Sequence, residues 1–375
     1  MEVDEYYMAR AVQLGQRGQY TTSPNPRVGC VIVRDGRIVG KGWHMFAGEP
    51  HAEVHALQQA GARAKAATAY VTLEPCAHHG RTPPCSAALI EAGIGRVVIG
   101  MQDPNPLVAG KGVEQLRAAG IDVTSGVCEA QVEALNPGFS RRMRTGRPYV
   151  RCKLAMSLDG RTAMASGESK WITSAQARRD VHLLRARSDA IVTGIATVLA
   201  DDPSMTVRLE AEAKGQPLHE EIARARQRRE PPLRVVLDSA LQIPASAQIL
   251  RAAGKCLVVT ATTQAAVQNM DAEVVSLPGS DARVDLVAML ELLANCGINE
   301  VLVEAGATLA GSMLAQQLVD ELVIYMAPVL MGDAGRGLVH LPGLTSMADR
   351  VELAITNVTA VGSDWRITAR PVYKQ

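Results

Sequence analysis

The sequence has few aromatic residues, no excess of charge and no long apolar run. Aromatic side chains make up 3% of the 375 residues, and the formal net charge is +1 at pH 7. Nucleic-acid-binding surfaces need basic patches and stacking rings, so this composition argues against DNA or RNA as a partner. The longest apolar stretch, residues 322–331, is far shorter than the roughly 18–20 residues that cross a bilayer. We therefore expect no nucleic-acid partner and no membrane span.

Targeting and disulfide signals are also missing. The first seven residues, MEVDEYY, lack the basic start and the apolar core of a signal peptide. The seven cysteines are odd in number and do not have the spacing of a disulfide framework. We expect a cytoplasmic protein whose cysteines are thiols or metal ligands. Five of them are expected to be ordinary buried thiols: Cys30, Cys128, Cys152, Cys256 and Cys296.

The length and the hydrophobic pattern predict two α/β domains. Over the first 125 residues, strand and helix signals alternate, which indicates a sheet with helices on both faces. A strand at residues 28–33 and a hairpin turn at 34–37 precede a helix at 52–60. The basic run 141–148 contains glycine and proline and is interpreted as a linker. The boundary near residue 146 gives domains 1–146 and 147–375.

The second half begins again with a strand and continues the alternation. Residues 210–232 are highly charged and poor in core residues, which predicts a surface insertion or a mobile loop. The tail, residues 351–372, predicts a closing antiparallel hairpin.

Two histidines and two cysteines indicate a metal site in the first domain. His51 and His55 are four residues apart, but Glu53 lies two places after His51, so the zinc-protease pattern H-E-x-x-H fails. Thiolate and imidazole ligands suit zinc, and His51, Cys76 and Cys85 supply three of them. Three protein ligands leave one position open for water, whose pKa zinc lowers to about 7.

An open zinc position gives Glu53 a role as the residue that takes a proton from the water and passes it to a leaving amine. His55, one turn further along the helix, is expected to point away from the metal. The alternative is a structural zinc site with four protein ligands, the fourth being His78 or His79. That alternative leaves Glu53 without a function.

The pattern H-x-E followed by P-C and a second cysteine resembles the zinc-dependent nucleoside and nucleobase deaminases. One departure is the spacing, because eight residues separate Cys76 from Cys85 where the usual pattern is C-x-x-C. Further stretches closely resemble the bifunctional riboflavin biosynthesis deaminase–reductase family, over nearly the whole chain. They are residues 23–31 (SPNPRVGCV), 101–106 (MQDPNP), 153–162 (KLAMSLDGRT), 166–173 (SGESKWIT), 197–203 (TVLADDP) and 303–309 (VEAGATL).

This resemblance implies a cytidine-deaminase-like, three-layer α/β/α domain followed by a dihydrofolate-reductase-like α/β domain. The implied first reaction is zinc-dependent removal of the 2-amino group of 2,5-diamino-6-(5-phosphoribosylamino)pyrimidin-4-one. The implied second reaction reduces the ribosyl group to ribityl with NADPH. The partners would be phosphorylated pyrimidines of small-molecule size, and we also expect a homo-oligomer, a dimer or larger.

The resemblance also assigns residues at matching positions. The zinc ligands and the proton shuttle are those named above. Pyrimidine or phosphate contacts in the first domain would be Asn25, His44, His78 and Arg81. Cofactor contacts would be Ala155, Trp171, Thr197, Asp201, Ser239 and the turn of Gly306, Ala307, Thr308, Leu309, Ala310, Gly311 and Ser312. Substrate contacts in the second domain would be Ser169, Arg185, Met205, Arg208 and Glu304, with Lys153 as a further candidate near the sugar.

The residues alone support the second domain's function less strongly. No G-x-G-x-x-G follows a strand, so a Rossmann domain is not indicated. Residues 304–311 end a strand and open a helix, a geometry that suits a phosphate. Arg185 and Arg208 suit phosphate because a guanidinium binds it in a fork, although a helix-surface salt bridge or a strand-end charge is the alternative. Arg81 is equally consistent with a solvated loop charge, and Trp171 with a core position.

Two rival functions differ in class from this one. A nucleic-acid deaminase, for example one acting on tRNA, predicts a basic face and stacking aromatic residues, which this composition disfavours. A zinc-stabilised, non-enzymatic binding module has no use for Glu53.

Overall fold

The computed structural model describes residues 2–77, 84–106, 108–209, 222, 226–262 and 272–374. The chain forms two compact units, Met1–Arg147 and Pro148–Gln375. The division lies beside the boundary that the sequence predicts near residue 146. Within the described part of the chain, no helix has the length and apolar character needed to cross a membrane.

The first unit is a five-stranded sheet in the order β2-β1-β3-β4-β5, in which β1 is antiparallel to both neighbours and β3, β4 and β5 are parallel. The strands are β1 (Gly29–Arg34), β2 (Arg37–Trp43), β3 (Thr68–Leu73), β4 (Arg96–Met101) and β5 (Asp122–Ser125). The helices are α1 (Val3–Gln16), α2 (Ala52–Ala60), α3 (Cys85–Glu91), α4 (Lys111–Ala118), α5 (Glu129–Leu135) and α6 (Pro137–Thr145), with a 3-10 turn at Gly61–Ala64.

Helices cover both faces of this sheet, which confirms the three-layer α/β/α prediction. Apolar residues of α2, α3 and α4 pack on one face, and those of α1 and α5 pack on the other. The predicted hairpin turn is present, with Asp35 and Gly36 at φ 51° and 69°, as a tight turn between twisted strands requires.

Helix α2 packs directly against the backbone of β2. A Cβ at Gly40 would lie 2.1 Å from the Ala56 carbonyl oxygen, and one at Gly42 would lie 2.1 Å from that of Ala52. Only glycine permits this approach, because any side chain would push the helix away. The contact fixes the position of the first turn of α2, where His51 and Glu53 lie.

The predicted linker at residues 141–148 is wrong, because most of it belongs to helix α6. Pro137 occupies the first turn, where its missing N–H costs nothing, and Gly146 ends the helix in the left-handed conformation at φ 69°. Asn136 fixes the start, since its side chain accepts from the Arg27 N–H at 2.7 Å and donates to the Arg27 carbonyl at 2.8 Å. The Asn-Pro pair is therefore a helix start signal.

The second unit is a nine-stranded sheet in the order β11-β10-β9-β8-β12-β6-β13-β16-β15. All neighbours are parallel except β13 with β16 and β16 with β15. The large-sheet strands are β6 (Tyr149–Ser157), β8 (Ala190–Gly194), β9 (Leu233–Leu237), β10 (Cys256–Thr260), β11 (Glu273–Ser276), β12 (Glu300–Glu304), β13 (Glu321–Ala327), β15 (Glu352–Val361) and β16 (Asp364–Val372). A separate pair is β7 (Arg161–Ala163) with β14 (Arg336–Gly337).

Helices of the second unit are α7 (Ala175–Arg187), α8 (Ile195–Asp201), α9 (Gln248–Arg251), α10 (Leu286–Asn295) and α11 (Ala307–Ala315), with a 3-10 turn at Met347–Asp349. The carboxyl ends of the parallel strands β6, β8, β9 and β12 share one edge of the sheet. Ligands of open α/β sheets bind in the crevice at this edge. The predicted tail hairpin is confirmed as β15 and β16.

The predicted surface insertion at residues 210–232 is only partly described, since residues 210–221 and 223–225 lie outside the described chain. Its last part is not a free surface loop. Arg226 is buried and donates to the Ala186 carbonyl at 2.8 Å, and Arg229 pairs with Asp189. The high charge of the segment suggested exposure to solvent, but these two arginines make contacts with α7 and with the residue before β8.

The expectation of five buried thiols is wrong for two of the cysteines. Cys296 is exposed at the end of α10, and Cys128 is half-buried with its thiol donating to the Glu5 carbonyl at 3.9 Å. Cys30, Cys152 and Cys256 are buried as expected.

A buried arginine tests how the second unit tolerates charge in its core. Arg151 is 1% exposed and donates to Glu300 and, at 2.7 Å, to Glu321. Arg151→Met leaves the buried Glu300 with only the more distant Arg187, at 3.7 Å, and removes the 2.7 Å partner of the half-buried Glu321. We therefore expect the free energy of unfolding of this unit to fall by about 3 kcal/mol. Arg350→Met is the control, because its pair with Glu352 is half-exposed and is worth about 1 kcal/mol or less. Thermal unfolding measures both, and equal effects would contradict the prediction.

Candidate active sites

The start of helix α2 positions the first group of functional side chains. His51 is the residue before the helix, with an extended backbone (φ −75°, ψ 169°), and Glu53 lies in the first turn. The short separation turns both side chains toward the edge where β3 ends and the Glu74-Pro75-Cys76 segment begins. Helix α3 starts at Cys85 and returns the second cysteine to the same place.

The structure brings His51, Cys76 and Cys85 together, with their ligand atoms all within 4.8 Å of one another. The His51 Nδ1 atom lies 3.2 Å from the Cys85 sulfur and 3.6 Å from the Cys76 sulfur. A tetrahedral zinc ion at ~2.0 Å from nitrogen and ~2.3 Å from sulfur separates such atoms by roughly 3.5 Å. The donor set and its spacing therefore fit zinc.

The two thiols are electrostatically unequal. The Cys85 thiol donates to the Cys76 sulfur, which lowers the pKa of Cys76. The same bond, together with burial, raises the pKa of Cys85. The Cys85 backbone N–H also donates to the Cys76 sulfur at 3.3 Å. Cys76 is thus held in an environment that favours the thiolate, the form that binds metal.

Glu53 is the unusual group of this site. Its side chain is 3% exposed, and its Oε2 atom has no hydrogen-bond partner among the described residues. Burial is the main cause that raises the pKa of Glu53, and the charge of Cys76 adds to it while His51 opposes it. A buried carboxylate oxygen without a partner is uncommon and calls for an explanation such as a missing ion or water.

Behind the ligands, Glu74 connects the cysteine segment to the loop before α4. Glu74 is 3% exposed. Its carboxylate accepts four backbone N–H bonds, from Asp103 (3.2 Å), Gly110 (3.0 Å), Gly112 (2.9 Å) and Val113 (3.2 Å). The bonds place a negative charge at the N-terminal turn of α4, where the helix dipole favours it. Glu74 therefore fixes the backbone two residues before Cys76.

A second set of contacts fixes the Cys76 carbonyl. The Ser86 N–H and hydroxyl lie 3.2 Å and 3.0 Å from the Cys76 carbonyl oxygen, and the hydroxyl is 2.7 Å from the Gln115 amide oxygen. Gln115 also donates to the Ala77 carbonyl at 3.4 Å. Sequence reasoning missed Glu74, Ser86 and Gln115. The one available signal was a carboxylate placed directly after an apolar strand.

Asn25 and His44, the predicted pyrimidine contacts, touch each other. The His44 Nδ1 atom is 3.2 Å from the Pro50 carbonyl, so Nδ1 carries the proton and donates. The other ring nitrogen then accepts from the Asn25 amide nitrogen at 3.1 Å. Burial lowers the pKa of His44 to about 4, which agrees with a neutral ring. The ring of His44 lies edge-on to that of His51, with centroids 5.2 Å apart.

Three of the histidines and one arginine that the sequence singled out near the metal remain. His78 and Arg81 lie outside the described residues, as does His79, the alternative fourth ligand. His55 is not part of the metal group that the described residues form, in agreement with its predicted orientation.

The second site lies at the carboxyl edge of the nine-stranded sheet. Glu304 ends β12 and is the register neighbour of Lys153 on β6. Arg185 of α7 donates to both Glu304 oxygens, at 2.6 Å and 2.9 Å, and to the Thr206 carbonyl at 2.9 Å. The structure thus brings together three of the predicted substrate residues. It also pairs the Arg185 fork with a carboxylate, the salt-bridge alternative that the sequence left open, and phosphate binding by Arg185 stays a prediction.

Lys153 is half-buried in this cluster. Its ammonium nitrogen lies 5.8 Å from the centre of the Tyr325 ring. Burial lowers the pKa of Lys153, the Arg185 charge lowers it further, and Glu304 opposes both. An amine that loses its proton more readily than usual is a candidate for acid–base chemistry.

Arg208 and Met205 lie on an irregular segment that follows α8. Met205 is buried, and its sulfur is 3.6 Å from the Arg185 guanidinium. The exposed Arg208 guanidinium donates to the Ser204 hydroxyl at 2.8 Å and the Thr206 hydroxyl at 3.3 Å. This group of a cation and two hydroxyls has the donors that a phosphate needs.

The predicted cofactor residues lie around the same edge. Gly306 caps α11, and Gly306 and Thr308 are exposed there. Ala310 and Gly311 are buried instead, and a Cβ at Gly311 would lie 2.0 Å from the His340 carbonyl oxygen. The half-buried members of the set are Ala155, Thr197, Ser239, Ala307, Leu309 and Ser312, while Ser169 is exposed.

Trp171 and Asp201 are both at the surface. Trp171 is 71% exposed, which excludes the core alternative, and the Arg178 guanidinium lies over one ring face at 4.5 Å. Asp201 pairs with Lys170 at 3.0 Å. An exposed indole with one face covered by a cation leaves the other face for a flat ligand.

Comparisons with known proteins agree with both sites. Residues 1–101 match the cytidine and deoxycytidylate deaminase zinc-binding region, and residues 148–367 match the RibD C-terminal domain. The riboflavin biosynthesis protein RibD of Escherichia coli (strain K12) is 53% identical over 362 residues, which is 96% of this chain and 97% of that protein.

Two solved structures are similar over 99% of both chains. Acinetobacter baumannii RibD, form 1, has 44% identity and a TM-score of 0.88. A diaminohydroxyphosphoribosylaminopyrimidine deaminase/5-amino-6-(5-phosphoribosylamino)uracil reductase from Thermotoga maritima has 33% identity and a TM-score of 0.84.

The fold and the two sites define a class, that of enzymes which join a zinc-binding deaminase domain to a reductase domain in one chain. Within that class, the chain belongs to the RibD family of bifunctional deaminase–reductases of riboflavin biosynthesis. The predicted folds of both domains are confirmed. The family is that of neither rival function, the non-enzymatic binding module or the tRNA deaminase. The family supports zinc in the first half and a nicotinamide cofactor in the second.

The contacts of Glu74 lead to a prediction for the metal site. In Glu74→Gln, one acceptor oxygen becomes an NH₂ group that faces backbone donors, and the negative charge is lost. Changes in residues that hold a metal ligand in position weaken metal binding by roughly 10-fold or more. We therefore expect weaker zinc retention during dialysis against a chelator. Glu91→Gln, an exposed glutamate of α3, is the control. Equal zinc retention in the two variants would contradict the prediction.

Proposed function

We propose that the first domain deaminates 2,5-diamino-6-(5-phosphoribosylamino)pyrimidin-4-one and that the second reduces the ribosyl side chain of the product with NADPH. The observation that carries the first half is the cluster of His51, Cys76 and Cys85 beside the buried, unpartnered oxygen of Glu53. The similarity to the Thermotoga maritima diaminohydroxyphosphoribosylaminopyrimidine deaminase/5-amino-6-(5-phosphoribosylamino)uracil reductase supports the choice of substrates.

In the deaminase site, His51 would bind zinc through Nδ1, and Cys76 and Cys85 through their sulfurs. Bound zinc lowers the pKa of a water in its open position to about 7. Glu53 takes a proton at its unpartnered Oε2 and delivers it to the departing 2-amino group. The net change is one water consumed, one C–N bond broken at C2, one C=O bond formed and one ammonia released.

Asn25 and His44 would orient the pyrimidine. His44 uses its acceptor nitrogen for the Asn25 amide N–H, which turns the Asn25 Oδ1 atom away from the histidine. That oxygen is then an acceptor for a ring N–H or an amino group of the substrate. His78 and Arg81 stay predictions for the polar end of the substrate.

In the reductase site, NADPH supplies the hydride, and the ring oxygen of the opened ribosyl group needs a proton. Glu304 is an unsuitable donor, because the bidentate bonds from Arg185 lower its pKa and keep it ionised. Lys153 is the better donor, because withdrawal from water lowers its pKa in spite of the opposing charge of Glu304. Arg208, with the Ser204 and Thr206 hydroxyls, would bind the substrate phosphate.

The proposed cofactor contacts need one adjustment. Gly306 and Thr308 are exposed at the start of α11, so they are better placed for the NADPH phosphates than the buried Ala310 and Gly311. Trp171, Asp201, Thr197, Ser239 and Ala155 keep their proposed roles.

A homo-oligomer is also part of the proposal. The edge strand β15 is exposed along nearly its whole length and carries the exposed apolar side chains of Leu353, Ile355 and Val358. An uncovered apolar edge strand favours pairing with another copy. Light scattering should therefore give a mass of two or more chains, and a monomer at micromolar concentration would contradict this.

The order of the two reactions can be tested directly. We expect the diaminopyrimidine ribotide to release ammonia with or without NADPH, and NADPH oxidation to follow ammonia release. The two products are measured in one time course. NADPH oxidation that precedes ammonia release would reverse the proposed order.

Glu53→Gln tests the proton shuttle. Because the amide cannot carry the proton, we expect ammonia release to fall by roughly 100-fold or more, as for loss of a general acid–base group. Zinc content should stay at the wild-type value, and NADPH oxidation with the deaminated ribotide should be unchanged. Glu91→Gln, an exposed position of α3, is the control. Substantial ammonia release by Glu53→Gln would refute the assignment.

A further inference from the structure

The irregular segment after helix α8, residues 203–209, carries Met205 and Arg208 to the reductase site. Asp202 and Met205 both have positive φ, 41° and 51°, a conformation that costs a non-glycine residue about 1 kcal/mol or more. The described segment has no strand or helix of its own to hold this conformation. The Met205 side chain packs among buried apolar residues that include Ile191 and Val198, and helix α7 contacts the backbone of the segment.

Two residues of α7 supply these contacts, and they lie three positions apart on the same side of the helix. Arg185 donates to the Thr206 carbonyl at 2.9 Å. The Arg208 backbone N–H donates to the His182 Nδ1 atom at 3.2 Å, and His182 is 6% exposed. The helix thus holds one backbone acceptor and one backbone donor of the segment, on the two sides of Val207.

The contact with Arg208 fixes the protonation of the histidine. Because a backbone N–H can only donate, Nδ1 must be the unprotonated acceptor, and the ring proton lies on Nε2. Burial lowers the pKa of His182 to about 4, the charges of Arg185 and Arg208 lower it further, and Glu304 opposes the shift. The ring is therefore neutral at pH 7, and the acceptor is available.

The backbone at Arg208 sets the direction of its side chain. The guanidinium of Arg208 lies against the Ser204 and Thr206 hydroxyls of the same segment. A small rotation of the peptide at residue 208 would move the guanidinium away from these two hydroxyls. A single phosphate can be bound by all three groups only when they point to the same place.

We propose that His182 is a positioning residue of the reductase, which presents Arg208 to the phosphate of the substrate by accepting the Arg208 backbone N–H. The inference rests on the proposed function, in which Arg208 binds that phosphate. His182 touches no reacting atom in this scheme, since its ring is buried and its acceptor nitrogen is already bonded. It acts through the backbone of the segment that carries Arg208, in contrast to Lys153.

Two substitutions separate the acceptor from the volume of the ring. His182→Leu keeps an apolar side chain of similar size without an acceptor. His182→Asn places its amide oxygen near the position of Nδ1 and keeps the acceptor. We expect His182→Leu to raise the KM for the deaminated ribotide roughly 5- to 10-fold, as for one lost hydrogen bond, with kcat and the KM for NADPH nearly unchanged. His182→Asn should restore most of the loss.

The deaminase of the same chain is the internal control, because ammonia release should be the same in all of these variants. If His182→Leu no longer binds NADPH, the domain is misfolded and His182→Gln is the variant to measure. Glutamine keeps a polar side chain but shifts the acceptor by one methylene. It should then show the selective rise in the KM for the ribotide, and a wild-type KM would overturn the proposal.

A double variant tests whether the effect passes through Arg208. Arg208→Ala should itself raise the KM for the ribotide, and adding His182→Leu should raise it no further. If the two substitutions raise the KM for the ribotide additively, the positioning role is overturned. A lower kcat combined with a higher KM for both the ribotide and NADPH would also overturn it. If the wild-type protein does not oxidise NADPH with the deaminated ribotide, the proposed function fails, whereas selective failure of the His182 variants refutes only this inference.

Discussion

Both sites depend on how the fold compensates carboxylates buried at the ends of strands. A carboxylate removed from water is stable only when donors or a counter-ion replace the solvent. Glu74 receives four backbone N–H bonds at the end of β3, and Glu304 receives the guanidinium of Arg185 at the end of β12. Glu53 is the exception, with one oxygen that has no partner among the described residues. The carboxylate with an unpartnered oxygen is the one assigned to chemistry, whereas Glu74 and Glu304 each stabilise the surroundings of the site in their own unit.

In the deaminase site, contacts to the backbone hold the segments that carry the reactive side chains. Direct contact of α2 with the glycines of β2 fixes His51 from one side. Glu74, Ser86 and Gln115 fix the backbone around Cys76 from the other side. Because these supports hold backbone atoms, the ligand side chains have little freedom left, and a metal ion would find its three donors already assembled.

The sequence predicted the parts of these sites in which the residue type defines the chemistry. His51, Glu53, Cys76 and Cys85 could be assigned because imidazole, carboxylate and thiolate at this spacing suit few purposes other than a catalytic zinc. The hairpin at residues 34–37 and most strands follow from local patterns. The family resemblance, more than the residues themselves, supplied the reductase contacts.

Other parts could not be predicted, because they depend on contacts between residues far apart in the chain. Glu74 meets its donors 29 to 39 residues later, and Arg185 meets Glu304 119 residues later. Nothing local indicates that the guanidinium is already occupied, so the sequence suggested a phosphate fork there. His182 gave no signal for the same reason. The helix at Pro137–Thr145, by contrast, did have a local start signal, and the linker prediction was wrong because composition outweighed it.

The charge balance around Lys153 gives a physical reason for assigning it the proton transfer. With the amine protonated, Lys153, Arg185 and Glu304 together carry a net charge of +1 in a place largely withdrawn from solvent. When Lys153 gives its proton to the substrate oxygen, the cluster becomes neutral, which removes the cost of an uncompensated buried charge. Arg185 cannot release a proton at neutral pH, and Glu304 is stabilised as an anion by its two bonds to Arg185. Burial lowers the pKa of Lys153 although Glu304 opposes the shift, and the Arg185 charge offsets part of that opposition. In the proposed reaction, Arg185 would therefore assist proton loss from Lys153 by limiting the stabilisation that Glu304 gives to the ammonium.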